Sequence, residues 1–386
     1  MSRRTNSGEE KALPLAGVVV LGMAPWLPGL YCNMLLADLG AEVILLEHPS
    51  GKERAERPPG FLSILNRNKK SLTLDLKSQK GKEIFCKLVA KSDVFMEGFR
   101  PGAVQRMGID YRAVEKMNPR IIYCSLSGYG QDSPYRNRPA HNNAYMGIAG
   151  MITTLAGFSP SYNRYVPVAD LSGAMFAALN IVSALRVRDI TGKGQYIDVS
   201  ITDCSLSWMS GNLGVFFSTG HLRPALPATD FYRTKDDKYI SLSVGATDSL
   251  WENLCCALGL DELADMSRSE REEKFEELEM TLRELISRRS REEWIELLTS
   301  ADAPCSPVLA LNELESDSHV RHRGLIIEVQ SKGEKVRQVA YPVRFSESRI
   351  EIRKPAPALG EDTAQLLQDL GYSQDEIDRL RKEKVT

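Results

Sequence analysis

One stretch of the sequence decides the fold, residues 17–47: GVVVLGMAPWLPGLYCNMLLADLGAEVILLE. The apolar run at 17–23 predicts a buried strand, residues 30–39 predict a helix that Gly40 ends, and Glu42–Glu47 predicts a second strand. A strand, a crossover helix and a second strand together form the unit from which parallel sheets are built. This stretch therefore predicts an α/β domain.

The same stretch lies in a segment without charged side chains, residues 12–37, which follows Arg3, Arg4 and Lys11. A signal peptide or a membrane span would have a similar composition. Prolines at positions 14, 25 and 28 interrupt the run. Two glutamates at positions 9 and 10 place negative charge where a signal peptide has a positively charged region. The seven cysteines are odd in number and include no C-x-x-C pair, which favours reduced thiols. The sequence thus predicts a cytoplasmic protein that has no membrane partner.

Strands and helices keep alternating through the first half of the chain. Further strands are predicted at 71–77, 93–99, 120–126 and 195–199, with helices at 80–91, 103–116 and 171–186. This rhythm predicts a mostly parallel sheet with helices on both faces. Ligands of such sheets bind beyond the carboxyl ends of the strands, so we expect the functional site there.

Composition and missing motifs narrow the function. The 386 residues carry 49 Lys and Arg against 51 Asp and Glu, a balance that does not favour binding to a nucleic-acid backbone. The sequence contains no G-x-G-x-x-G or G-x-x-x-x-G-K-[ST] phosphate loop, no G-x-S-x-G and no H-E-x-x-H. His319 and His322 have no nearby ligand at a familiar metal spacing, so no metal site is predicted.

The amino-acid composition of the chain changes near residue 225. Charged residues become dense at 261–300, yet apolar side chains still recur at helical spacing, and Ser290 and Glu293 predict a capping box. We predict a discontinuous large domain at 1–205 and 335–386, a linker at 206–228, and a small α+β domain at 229–334.

Two side chains are candidates for chemistry. Asp170 precedes the apolar helix predicted at 171–186, whose inward positions we expect to be Ala174, Met175, Ala178, Leu179, Val182 and Leu185. Spacing alone favours a helix N-cap for Asp170, although a helix N-terminus also suits an ionised nucleophile or base. His141 lies in a polar loop after a glycine-rich segment, where it is either structural or a second acid/base group.

Short segments along nearly the whole chain are characteristic in combination. They are ADLGAEVI (37–44), NRNKKSL (66–72) with LDLK (74–77), FRPG (99–102) with RMG (106–108), NPRIIY (118–123), SGYGQ (127–131), TGKGQ (191–195) and LGEDT (359–363). In this order and at these spacings the sequence resembles the class III CoA-transferase family, which also contains the α-methylacyl-CoA racemases.

The resemblance implies a Rossmann-like large domain, a small domain and an interlocked homodimer in which each chain threads through the other. It implies acyl-CoA and carboxylic acid substrates, with coenzyme A as a substrate and no permanently bound cofactor. Asp170 matches the family's catalytic aspartate. The family's CoA contacts correspond by motif to Leu74, Lys77, Phe99, Arg106, Met107 and Arg138.

The sequence departs from the family pattern at two positions. His48 stands where Arg or Lys often binds a CoA phosphate, which puts that contact in doubt. Asp362 stands where the C-terminal motif usually has His.

Two chemistries remain open. A transferase needs one carboxylate, on which CoA is carried as an aspartyl thioester, here on Asp170. A racemase needs two acid/base groups, which His141 and Asp170 would supply. His141 and Tyr145 fit the racemase segment, but Asn142 replaces its Asp and Asp248 stands where racemases have Glu, so the sequence favours the transferase narrowly.

A third hypothesis, a non-catalytic CoA-binding partner subunit, is disfavoured because Asp170 is retained. The acyl pocket is expected to involve Tyr145, Met146, Met151 and residues 208–217. These apolar residues hint at a non-polar acyl group.

Overall fold

The computed structural model describes residues 12–154, 166–222, 224–331 and 333–386. Residues 1–11, which contain the charged side chains used above to judge a leader peptide, lie outside this range, as do residues 155–165 of the predicted large domain. The chain forms two units, one comprising Met1–Gly211 with Gly324–Thr386 and the other Asn212–Arg323. Each unit has its own sheet.

Six parallel strands form the sheet of the first unit, in the order β3-β2-β1-β4-β5-β6. They are β1 (Val19–Met23), β2 (Glu42–Glu47), β3 (Lys69–Thr73), β4 (Val94–Glu97), β5 (Ile122–Ser127) and β6 (Gln195–Ser200). Val20 of β1 lies opposite Val43 of β2 on one side and Val94 of β4 on the other. The predicted α/β fold is confirmed, and the strand order reverses direction between β1 and β4, where ligands of such sheets bind.

Helices cover both faces of this sheet. They are α1 (Leu27–Asp38), α2 (Lys52–Ala55), α3 (Phe61–Leu65), α4 (Gln79–Ala90), α5 (Ala103–Met107), α6 (Tyr111–Met117), α7 (Asn142–Ile148), α8 (Met151–Thr154), α9 (Val168–Thr191), α10 (Ile201–Trp208), α17 (Thr363–Asp369) and α18 (Gln374–Lys382). Neighbouring residues of one strand point to opposite faces. Val20 therefore packs in the cluster that contains α1 and α9, and Leu21 packs in the cluster of α4, α17 and α18.

Two local predictions are wrong in their bounds. The helix predicted at 103–116 is two helices, α5 and α6, because Gly108 adopts φ 72° and ends the first. The strand predicted at 71–77 is Lys69–Thr73, so Leu74 and Lys77 lie beyond its carboxyl end. Both residues therefore lie at the edge of the sheet where ligands bind, and not within a strand.

One described helix, α9, is long and apolar enough to cross a membrane by length and composition. Half of the most apolar 18-residue stretch of this helix is buried. Ala174, Ala178 and Leu185 are buried as predicted, whereas Met175, Leu179 and Val182 are exposed. The prediction that these last three face the core is therefore wrong, because α9 is apolar on more than one side.

The second unit contains an antiparallel sheet in the order β7-β8-β9, formed by β7 (Phe231–Arg233), β8 (Tyr239–Leu242) and β9 (Cys305–Val308). Its helices are α12 (Asp248–Leu258), α13 (Arg268–Glu273), α14 (Phe275–Ile286), α15 (Arg291–Ser300) and α16 (Ser318–Arg323), with 3-10 turns at Asp261–Leu263 and Leu314–Ser316. Ser290 and Glu293 form the predicted capping box at the start of α15.

The unit boundaries differ from the predicted domain boundaries. The predicted linker, 206–228, contains the end of α10 and all of α11 (Ser210–Thr219). The hairpin of β10 (Ile326–Ser331) and β11 (Glu334–Val339) belongs to the first unit, although the prediction placed residues up to 334 in the small domain. The side-chain Nε2 of Gln338 donates to the Ser63 carbonyl at 2.9 Å, which ties this hairpin to the first unit.

Candidate active site

Two cavities open in the first unit, near the carboxyl ends of β1 and β4. The first, here the Lys77 cavity, has a volume of about 230 Å³ and is lined by the predicted CoA contacts Leu74, Lys77, Phe99 and Met107. The second, here the Asp170 cavity, has a volume of about 610 Å³ and is lined by Asp170, His141, Arg138 and Tyr145. Phe99 lines both. Volumes of this size suit small-molecule sites.

Asp170 lies in the first turn of α9, and the N-cap of that helix is Pro167. The expectation that Asp170 is the N-cap is therefore wrong, and its carboxylate is free to face the cavity. The cap is supplied by Asn142, whose Oδ1 accepts from the amides of Ala169 at 2.9 Å and Asp170 at 3.4 Å. The residue that departs from the racemase segment thus satisfies two amides that the helix leaves free.

The Asp170 carboxyl is half-buried. Desolvation raises its pKa from the ordinary 3.8 to about 6, and the neighbouring charge of His141 opposes this shift. A carboxylate with this pKa is mostly ionised at neutral pH and more basic than an ordinary Asp, as a nucleophile or a base requires.

His141 is exposed at the N-cap position of α7. Its ring lies 5.8 Å from the ring of Trp26, centroid to centroid, in a tilted arrangement. Trp26 follows β1 and lines the same cavity. The structure therefore brings together the two predicted acid/base residues, His141 and Asp170, on one cavity wall.

A series of aromatic rings in edge-to-face contact connects the core to Arg138. Tyr145 contacts Tyr129 at 5.4 Å, Tyr129 contacts Tyr135 at 5.8 Å, and the Arg138 guanidinium lies 3.6 Å from the Tyr135 ring centroid. A Cβ atom at Gly128 would come within 2.5 Å of the Tyr145 ring, so only glycine lets that ring pack there. The aromatic series holds Arg138 at the rim of the Asp170 cavity.

The Lys77 cavity contains His48 in place of the expected cation. Its Nδ1 accepts a hydrogen bond from the Ser50 amide at 3.1 Å. Arg54 also lines this cavity, but its guanidinium pairs with Glu47. Lys77 is exposed and forms no ion pair within the described part of the chain.

The remaining predicted residues lie elsewhere. Arg106 is exposed on α5 and lines neither cavity. Asp248 is in the second unit, in the first turn of α12, where its carboxylate pairs with the buried Arg271 at 2.6 Å. Its catalytic role stays a prediction. Of the predicted acyl-pocket residues in the first unit, Tyr145 lines the Asp170 cavity, whereas Met146 and Met151 do not.

Three further arginines line the Asp170 cavity, Arg57, Arg100 and Arg136, and none of them is among the site residues predicted from the sequence. They come from three separate loops, so no local spacing connects them. Within the described ranges, no group of three or more His, Cys, Asp or Glu side chains could hold a metal ion.

The sequence matches a known family over most of its length. The model of CoA-transferase family III matches residues 15–363. The chain belongs to CoA-transferase family III. The matched range includes both cavities, and the enzymes of this family act on CoA thioesters.

Relatives of this family III member include both chemistries. It is 32% identical to the succinyl-CoA–L-malate CoA-transferase alpha subunit of Chloroflexus aurantiacus, over 98% of this chain and 94% of that one. It is 30% identical to formyl-CoA:oxalate CoA-transferase of Escherichia coli O6:H1, over 96% of this chain and 98% of that one. It is 29% identical to human alpha-methylacyl-CoA racemase, over 97% of each chain.

The fold is also similar to that of a solved structure, a CAIB/BAIF family protein from Brucella suis. The TM-score is 0.81 at 27% identity, over 92% of this chain and 99% of the other. The mixed α/β architecture of this family III member is therefore that of a known enzyme family.

Proposed function

We propose that this chain is a CoA-transferase that moves CoA from an acyl-CoA donor to a carboxylic acid through a thioester on Asp170. The observation that carries the proposal is the half-buried Asp170 carboxyl at the wall of a cavity, with a pKa of about 6. Two of the three relatives named above are CoA-transferases, which supports the same chemistry.

The proposed reaction needs no proton transfer. The Asp170 carboxylate attacks the donor's thioester carbonyl and the C–S bond breaks. CoA departs as the thiolate, and an acyl-aspartyl anhydride remains. The thiolate then attacks the aspartyl carbonyl, which releases the donor acid and forms aspartyl-CoA. The acceptor carboxylate attacks this thioester, forms a new anhydride and frees thiolate again. Attack of the thiolate on the acceptor's acyl carbon yields the new acyl-CoA and restores Asp170.

The other predicted residues have supporting roles in this proposal. Lys77 and Arg138 neutralise CoA phosphates, and Phe99 and Met107 offer an apolar surface to adenine or pantetheine. Phe99 lines both cavities, so the proposed CoA chain passes beside it from the Lys77 cavity to Asp170.

Trapping tests the proposal directly. The protein is incubated with an acyl-CoA and then hydroxylamine, and peptides are analysed by mass spectrometry. We expect a hydroxamate at Asp170 and none in the Asp170→Asn variant. Wild-type protein that transfers CoA without modification at Asp170 would contradict the proposed intermediate.

Racemisation is the second candidate, because His141 lines the same cavity as Asp170 and its charge acts on that carboxyl. A racemase exchanges the α-hydrogen of a 2-methylacyl-CoA with solvent deuterium, and loses this exchange in His141→Gln. A transferase gives no such exchange. A chain that does neither and only binds CoA would be the partner subunit considered above.

We further propose that the chain forms an interlocked homodimer and is cytoplasmic. An exposed apolar face on α9, formed by Met175, Leu179, Val182, Val187 and Ile190, supports the dimer because a lone chain would leave it in water.

A further inference from the structure

A buried carboxyl group lies at the carboxyl end of β4, beside both cavities. Glu97 is the last residue of β4 and is 1% exposed. It lines neither cavity, but the four residues that follow it, 98–101, all line the Asp170 cavity, and Phe99 lines both cavities. Residues 98–101 are here the wall segment, and Glu97 is the residue from which this segment leaves the sheet.

The Glu97 carboxyl accepts two hydrogen bonds, one from the sheet and one from the wall segment. Its Oε1 accepts from the Ser125 hydroxyl at 2.5 Å, and its Oε2 accepts from the Phe99 amide at 2.8 Å. Ser125 is the residue of β5 that lies opposite Glu97 in the pairing of the two strands. The carboxyl therefore connects a fixed position in the sheet to an amide that lies beyond it.

The bond to Phe99 begins where the pairing of the strands ends. The Gly98 amide still donates to the Met23 carbonyl of β1, at 3.3 Å, and the Phe99 amide is the next along the chain. A backbone amide in a partly buried position needs an acceptor, and here a side chain two residues earlier supplies it. The Glu97 side chain thus sets the direction in which the chain leaves β4, and with it the position of Phe99.

The position of Glu97 is an unfavourable one for a carboxyl group. The other three residues of β4 are apolar and buried. Burial raises the pKa of Glu97, the hydrogen bonds from Ser125 and the Phe99 amide oppose this shift, and the charge of Asp198 adds to it. An apolar side chain would fill this position without the cost of desolvating a carboxyl. What an apolar side chain cannot do is accept a bond from the Phe99 amide.

The wall segment is also held closely against the end of β1. A Cβ atom at Gly98 would lie 3.0 Å from the Cβ atom of Ala24. Ala24 directly follows β1 and, like Phe99, lines both cavities. The ends of two neighbouring strands therefore meet tightly at residues that both cavities share, so a shift of the wall segment would change both cavities together.

Resting on the proposed CoA transfer at Asp170, we propose that Glu97 is a positioning residue for CoA. Its carboxyl holds the Phe99 amide, and through it the Phe99 side chain, where the CoA chain passes, before CoA arrives. The thioester then reaches Asp170 without a rearrangement of the wall segment, and fixed geometry of this kind contributes to both affinity and rate. Because Glu97 lines neither cavity, it acts through Phe99.

Calorimetric titration of CoA into the full-length protein tests this inference without requiring turnover. Glu97→Met keeps the length of the side chain and removes both acceptor oxygens, so it should weaken CoA binding at least tenfold. Glu97→Gln should bind CoA within threefold of wild type. Its amide oxygen can accept from the Phe99 amide, and its amide nitrogen can donate to the Ser125 hydroxyl.

Ser125→Ala is the matched control, because it removes the other hydrogen bond of the same carboxyl and leaves the Phe99 amide bonded. Its CoA affinity should stay within twofold of wild type, although its free energy of unfolding in urea falls. Wild-type affinity in Glu97→Met overturns the inference. So does an equal loss in Ser125→Ala, which would assign the effect to the end of the sheet, or a tenfold loss in Glu97→Gln, which would assign it to the charge.

A measurement on wild-type protein alone decides the question if Glu97→Met does not fold. In CoA-free protein that contains isotope-labelled phenylalanine, the Phe99 amide should exchange its hydrogen slowly, because its bond to Glu97 is already formed. An amide that becomes protected only after CoA is added would overturn the inference.

The proposed function fails by a different result, the absence of a hydroxamate at Asp170 with every acyl-CoA tried. A tenfold loss of CoA affinity in Glu97→Met would survive that failure, because binding is measured without transfer. Equal CoA affinity in wild type and Glu97→Met, with a hydroxamate at Asp170 in both, would keep the transferase and discard the positioning role.

Discussion

The pKa of a single carboxyl group sets the expected pH dependence of the reaction. Asp170 attacks only when ionised, and its pKa is about 6. The ionised fraction, and with it kcat/KM for the donor, should fall about tenfold per pH unit below pH 6 and level off above it. Initial rates measured across this range at constant ionic strength check the prediction. A profile that stays flat through pH 6 would show that Asp170 is not the titrating nucleophile.

Asn142 acts on the same carboxyl through the helix that presents it. Its Oδ1 caps the amides of Ala169 and Asp170, so Asn142→Ala should cost about 1 kcal/mol of unfolding free energy, measured with urea. Asn142→Asp keeps an acceptor but brings a negative charge near Asp170. It should raise the pKa of Asp170 and move the acid limb of the kcat/KM profile to higher pH. A limb that moves to lower pH in Asn142→Asp would refute this.

At the scale of elements, several segments that carry the family resemblance contain residues that connect one element of the fold to another. Asp38, at the end of α1, pairs with Arg67, just before β3, at 2.6 Å, and both side chains are 2% exposed. Asp362 accepts from the Ser71 amide at 2.9 Å and pairs with Lys354 at 2.6 Å. The departure at Asp362 thus has a structural role in anchoring the C-terminal segment to β3.

The buried pair gives a sharp stability prediction. Arg67→Met removes the ion-pair partner of the buried Asp38 carboxylate, to which the Asn68 side-chain amide still donates at 2.8 Å, and should cost about 3–5 kcal/mol of unfolding free energy. The neighbouring Lys70→Met breaks an exposed pair with Glu42 and should cost at most about 1 kcal/mol. Urea unfolding of both variants makes the comparison. Equal losses would mean that burial does not set the value of the Arg67–Asp38 pair.

How far the sequence predicts the structure depends on whether the signal is local. The strands β1, β2, β4 and β5 are apolar runs because both faces of the sheet are covered, so their positions follow from composition. The break between α5 and α6 depends on one positive φ at Gly108, which an amphipathic pattern does not reveal. Asp170 and His141 are candidates from their local sequence, and the family pattern favours catalytic roles for them, whereas Arg57, Arg100 and Arg136 line one cavity only in the folded chain.

For the whole molecule, the wrong prediction on α9 is informative. Met175, Leu179 and Val182 fit the core pattern of a helix, yet all three are exposed, with Leu179 at 61%. An apolar sequence pattern predicts burial, but it does not show whether the same chain or a second chain packs against those residues. In the proposed homodimer, the second copy of the chain covers this exposed stripe along a helix of about 36 Å.

Leu179→Asp should therefore prevent the proposed homodimer from assembling as the chains fold, because a charge at the centre of a buried apolar interface has no partner. Light scattering after size exclusion should give the mass of two chains for wild type and of one chain for the variant, with a weaker helical circular dichroism signal, because interlocked chains cannot separate while both stay folded. Leu311→Asp is the control, since Leu311 is 88% exposed and lies outside the α9 face. It should remain a dimer. A wild-type protein with the mass of one chain, or a Leu179→Asp variant with the mass of two, would remove α9 as the assembly surface.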